Sequence, residues 1–93
     1  MMALLTQTEI QQQLQTLQNW SLKNQQICCV KTFVGFPEAI LFVQSLVDPA
    51  EKAGHHPDLE ISYNRVKISL TTHDQGGLTQ KDFDLARTID RLP

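Results

Sequence analysis

The three histidines of this 93-residue chain, His55, His56 and His73, all lie between Glu51 and Asp82. Histidine is the side chain whose ordinary pKa lets it take up and release a proton near neutrality. The stretch reads EKAGHHPDLEISYNRVKISLTTHDQGGLTQKD, with two strands' worth of aliphatic sequence, Leu59 to Leu70, between the pair and the single residue. A hairpin over that span would put the pair and the single histidine at strand ends. Such a cluster suits proton transfer, in which one acid or base group typically contributes about 10²–10⁴-fold in rate. Glu51 and Asp82 add carboxylates that can orient an imidazole and stabilise its cation.

Each of these residues also has a plainer reading. His55-His56-Pro57 could be a polar turn after a helix, Asp82 a helix cap, and Glu51 a solvated face residue. Three neutral imidazoles and a water would suit catalytic zinc. However, adjacent histidines seldom converge on one ion, and the H-E-x-x-H spacing is absent. Cysteine catalysis has less support still, because nothing places a base beside Cys28 or Cys29. Those two thiols are neighbours in an expected strand, so they point to opposite faces and are read as reduced.

The elements that must position the cluster follow from periodicity. Thr6 to Glu9 forms a capping-box pattern, and Ile10, Leu14 and Leu17 recur at helical spacing, so a first helix is expected over Gln7–Gln18. Trp20 to Lys23 and Ile27 to Phe33 read as strands around a turn at Asn24-Gln25-Gln26. Trp20 is expected in the core or a pocket wall. Pro37 opens a second helix whose stripe is Ala39, Ile40, Val43, Leu46 and Val47, with Phe42 alongside. Asp48-Pro49 should kink that helix, or restart it with Asp48 as cap and Pro49 first. Gly54 should close it in a left-handed conformation. Leu59, Ile61 and Tyr63, then Val66, Ile68 and Leu70, alternate as two half-buried strands around Asn64-Arg65. Gly76-Gly77 is a turn, Thr79 to Asp82 a second capping pattern, and Leu85, Ala86, Ile89 and Leu92 the apolar side of a last helix. The order α-β-β-α-β-β-α predicts an α+β fold, with a four-stranded antiparallel sheet and three helices on one face. The other face would be open to a flat ligand.

Length predicts a single domain over residues 1–93. A chain this short gains stability by associating with copies of itself. The net charge of −2 and the scattered basic residues argue against a nucleic-acid partner. No stretch approaches the ~20 apolar residues that span a bilayer, so no membrane partner is expected. The start MMALLTQTE lacks the charged leader of a secretory signal, and a cytoplasmic location is expected.

The pattern Glu51-x3-His55-His56-Pro57-x5-Tyr63-x9-His73-x8-Asp82 resembles the signature of the pterin-4a-carbinolamine dehydratase family. Trp20, Phe33-x2-Phe36, Ala39, Phe42 and Gly77-Leu78-Thr79 agree with it, so the resemblance runs from about Trp20 to Leu92. It implies an α+β fold, a dimer or tetramer, and no metal or organic cofactor. It implies dehydration of 4a-hydroxytetrahydrobiopterin to quinonoid dihydropterin, which recycles the cofactor of aromatic amino-acid hydroxylases. By position, His55, His56 and His73 would be the acid/base and pterin-contacting groups, without assignment of acid and base among them. Asp82 would support a histidine or the pterin, Glu51 would stand behind them, and Pro57, Tyr63 and Trp20 would bind or support substrate. Some relatives are instead binding modules, a dimerisation cofactor for a homeodomain transcription factor and an assembly factor for Rubisco. The assembly type typically has a degraded histidine signature, whereas here it is intact.

Overall fold

The structure is a computed structural model that describes residues 3–93. Met1 and Met2, the first letters of the start read above, lie outside them. Helix α1 spans Gln7–Leu14. The Thr6 hydroxyl accepts from the Glu9 N–H at 3.1 Å, and the Glu9 carboxylate accepts from the Thr6 N–H at 2.8 Å. That reciprocal cap is the expected one. The helix stops before the expected Gln18 because Thr16 turns both its N–H and its hydroxyl onto the Gln13 carbonyl. Such local bonding competes with the helical ladder.

Strands β1 (Ser21–Lys23) and β2 (Gln26–Thr32) follow, then helices α2 (Phe36–Ser45) and α3 (Val47–Ala53). Strands β3 (Asp58–Ser62) and β4 (Arg65–Leu70) form the second hairpin, and helix α4 (Gln80–Asp90) ends the chain. The sheet is antiparallel with order β1-β2-β4-β3. The α+β reading with a four-stranded sheet therefore holds, with the central helix in two pieces. Among the described residues, no helix is long and apolar enough to cross a membrane.

The break in the central helix corrects the sequence reading. It falls at Leu46, and Pro49 sits third in α3 rather than first, with Asp48 inside the helix. Pro49 has no N–H for the Ser45 carbonyl four residues back, so the ladder gives way there. The Leu46 N–H turns to the Val43 carbonyl at 3.0 Å instead. The turn rotates Val47 outward, while Phe42 is buried with Ala39 and Leu46. Of the expected stripe, Ala39, Val43 and Leu46 pack on the core, whereas Val47 does not.

Ile27, Cys29, Val66, Ile68 and Leu70 project from the sheet into one core, where α4 supplies Phe83, Leu85, Ala86 and Ile89. Phe83, which the periodicity reading passed over, is fully buried. Both cysteines are free. Cys29 faces the core, and burial pushes its pKa up, with Lys31 opposing. Cys28 points to the other face, where its Sγ lies 3.5 Å from the Ser69 hydroxyl.

Candidate acid–base site

Gly54 (φ 60°) ends α3 in the left-handed conformation the sequence called for. The His55 N–H reaches back to the Ala50 carbonyl at 3.1 Å and fixes the chain as it leaves the helix. This closure turns the His55 ring inward, so its side chain is only 10% exposed. Its Nε2 lies 2.6 Å from Asp82 Oδ1.

Asp82, in the first turn of α4, is fully buried. A bare buried carboxylate would be costly, so its partners matter. Its Oδ2 accepts from the Thr79 N–H and from the Thr72 hydroxyl, each at 2.9 Å. The Thr72 and Thr79 hydroxyls meet at 2.8 Å. The cap expected of Thr79 and Asp82 is therefore present, and the same carboxylate also holds a histidine.

The other two histidines lie nearer to water. His56 Nε2 meets Glu51 Oε2 at 2.5 Å, with both side chains about two-thirds exposed. His73 lies in a short 3₁₀ turn, His73–Gln75, three residues beyond Leu70 and so past the strand end where it was expected. Gly76 (φ 72°) closes that turn, and the Thr72 N–H bonds the Gly77 carbonyl at 3.0 Å. His73 Nε2 faces Asp58 Oδ2 at 3.4 Å. The segment carrying His55, His56 and Asp58 is thus tied to the segment carrying Thr72 and His73 at two points. One tie runs through Asp82, the other through Asp58.

Asp58 and Thr72 were missed by the sequence reading. Asp58 follows His-His-Pro directly, and its acidity beside three imidazoles was the available signal. Thr72 gave no such signal, since a threonine before a histidine has many uses. Pro57 lies beside His56 on an apolar hollow of about 220 Å³ with Val43, Leu46 and Leu59. A second hollow of about 260 Å³ is lined by His73, Thr71, Gln26 and Asn24. Trp20 is in the core, and its Nε1–H donates to Asp90 at 2.8 Å. Tyr63 stands apart: it is exposed in the β3–β4 turn (φ 53°), at the far end of that hairpin from the histidine pair. No three of the His, Cys, Asp and Glu side chains among the described residues come together to hold a metal ion.

The sequence pattern of the family described as pterin 4 alpha carbinolamine dehydratase matches residues 3–92. The chain belongs to the pterin-4a-carbinolamine dehydratase family. A relative from Nostoc punctiforme is 56% identical over 92 residues, covering 99% of each chain. One from Picosynechococcus is 60% identical over 88 residues, covering 95% of this chain and 96% of its own. Both are named, provisionally, pterin-4-alpha-carbinolamine dehydratase. A crystal structure from Brucella melitensis, described as a transcriptional coactivator/pterin dehydratase, superposes with a TM-score of 0.90 at 32% identity. It covers 95% of this chain and 96% of its own. A pterin dehydratase-like protein described as a RuBisCO assembly factor in the alpha-carboxysome shares the fold. Its TM-score is 0.62 at 19% identity, over 80% of this chain and 86% of its own.

Proposed function

We propose that this member of the family is a hydro-lyase that dehydrates 4a-hydroxytetrahydropterin to quinonoid dihydropterin by histidine acid/base catalysis. The observation that carries the reading is the His55–Asp82 pair, a buried imidazole held at 2.6 Å by a buried carboxylate. His56 and His73 each have a carboxylate of their own in more open surroundings. Imidazoles in two settings of such different exposure suit a reaction that needs an acid and a base together.

The reaction itself is simple to balance. The acid protonates the 4a-hydroxyl, the C4a–O bond breaks, and water leaves. The base removes the N5 proton, and the N–H electron pair becomes the N5–C4a double bond. No electrons enter or leave. Glu51 supports His56, Asp82 supports His55, and Pro57 walls the hollow beside His56. We further propose that the chain works as a homodimer or homotetramer.

Stopped-flow measurement of carbinolamine loss tests the reading. Catalytic amounts of protein should accelerate the loss well beyond its rate in buffer, and an unchanged rate would overturn the assignment. The alternative is a non-catalytic binding module, a role that the coactivator half of the Brucella description brings to mind. Titration with 7,8-dihydrobiopterin separates the two, because an enzyme's ring signals of His55, His56 and His73 should respond in NMR. A binding module has no reason to move them.

A further inference from the structure

We propose that Thr72 is a positioning residue for this reaction: acting through Asp82, it holds His55 as the Nε2–H tautomer and leaves the Nδ1 lone pair as the base. The inference rests on the dehydratase reading for its substrate, but the tautomer stands or falls independently.

The argument is a count of hydrogens. A hydroxyl has one to donate. The Thr72 hydroxyl lies 2.9 Å from Asp82 Oδ2 and 2.8 Å from Thr79 Oγ1. Its hydrogen goes to the carboxylate, so Thr79 donates to Thr72 in turn. The Thr79 N–H is the second donor to Oδ2. Both donors converge on that oxygen inside the fold, where Thr72 is 8% exposed and Thr79 and Asp82 are fully buried. Two donors on a carboxyl oxygen favour its ionised form. The hydrogen in the 2.6 Å contact is therefore on His55 Nε2.

A neutral imidazole with Nε2–H has its lone pair on Nδ1. Among the described residues, no buried side-chain nitrogen or oxygen lacks a partner and no group bonds Nδ1 of this buried ring. The free nitrogen is therefore at the surface of the site, where a substrate proton can reach it. As Nδ1 takes the N5 proton, the N5–H bond breaks and an Nδ1–H bond forms, with Asp82 balancing the new positive charge. Thr72 also anchors the turn of His73, since its carbonyl accepts from the Gln75 and Gly76 N–H groups at 3.0 Å. One residue thus sets the tautomer of one histidine and the place of another.

The test uses the full chain labelled with ¹⁵N and read by long-range proton–nitrogen correlation of the histidine rings. Wild-type protein and Thr72→Ser should show His55 protonated at Nε2 and bare at Nδ1. Thr72→Val should show mixed tautomers and lose about tenfold in turnover, the usual worth of one hydrogen bond to a charged group. Thr72→Ser should restore most of that loss. A wild-type ring protonated at Nδ1 overturns the proposal, and this spectrum decides even if Thr72→Val fails to fold. A folded Thr72→Val protein with an unchanged tautomer overturns it too, whatever its activity. An inactive wild-type chain with the Nε2–H ring would remove the dehydratase reading and leave the tautomer lock standing.

Discussion

His55 and Asp82, 27 residues apart in sequence, meet at 2.6 Å with the carboxylate fully enclosed. Removing that carboxylate strands an imidazole, a hydroxyl and a backbone N–H together. Asp82→Ala should therefore cost about 3 kcal/mol or more of stability, since each buried donor left without its acceptor costs about 1–3 kcal/mol. Asp82→Asn should fold better, yet its amide would donate to Nε2 and impose the opposite tautomer. Turnover should then fall by roughly 10²-fold or more, as when an orienting carboxylate is made an amide elsewhere. Thermal denaturation and steady-state rates check the two halves separately.

The histidines can be ranked by their surroundings. His55→Ala, His56→Ala and His73→Ala should each lose at least about tenfold in dehydratase activity. The exposed pairs of His56 and His73 contribute little to folding, about 0–1 kcal/mol, so those two variants should melt close to wild type. His55→Ala should lose the most in both respects. A triple-alanine protein with wild-type activity would sink the acid/base assignment.

Activity should be indifferent to chelators. Exhaustive treatment with a strong chelator should leave the rate unchanged, and elemental analysis should find no stoichiometric zinc. A chelator-sensitive activity that zinc restores would contradict this, because the histidine–carboxylate pairs provide no shared ligand centre.

Self-association has a visible candidate surface. Phe36, Leu41 and Val47 on the two central helices are each more than half exposed. Burying such residues between copies would recover apolar area that a chain of this size leaves in water. Light scattering at micromolar concentration should give at least twice the mass of one chain, and Leu41→Glu should shift it downward. A wild-type monomer throughout that range is the contrary result.

The parts of the fold that were legible are those where a local pattern and the tertiary environment agree. The alternation of Val66, Ile68 and Leu70 placed β4 correctly because its central position buries that whole face. The same alternation overreached at Tyr63, since β3 is an edge strand and the chain turns one residue earlier. Gly54 was readable from its own chemistry, whereas the helix break at Leu46 was not. A proline acts on a carbonyl four residues upstream, so its own position misplaces the break. At the site, the histidines, Glu51 and Asp82 announced themselves as ionisable groups in one stretch. Thr72 could not, because its role depends on a carboxylate ten residues away that only folding brings within 2.9 Å.

Trp20 is the sole tryptophan of the chain, and its indole N–H is fastened to Asp90 near the end of α4. The chain thereby contains a built-in optical reporter. Undocking of the last helix would release the indole to water and shift its emission to the red, while opening of the distant β3–β4 turn would leave the colour unchanged. Because α4 also carries Asp82, the same signal follows the segment that supports His55. Fluorescence during unfolding therefore reads the integrity of the acid–base site without any added label.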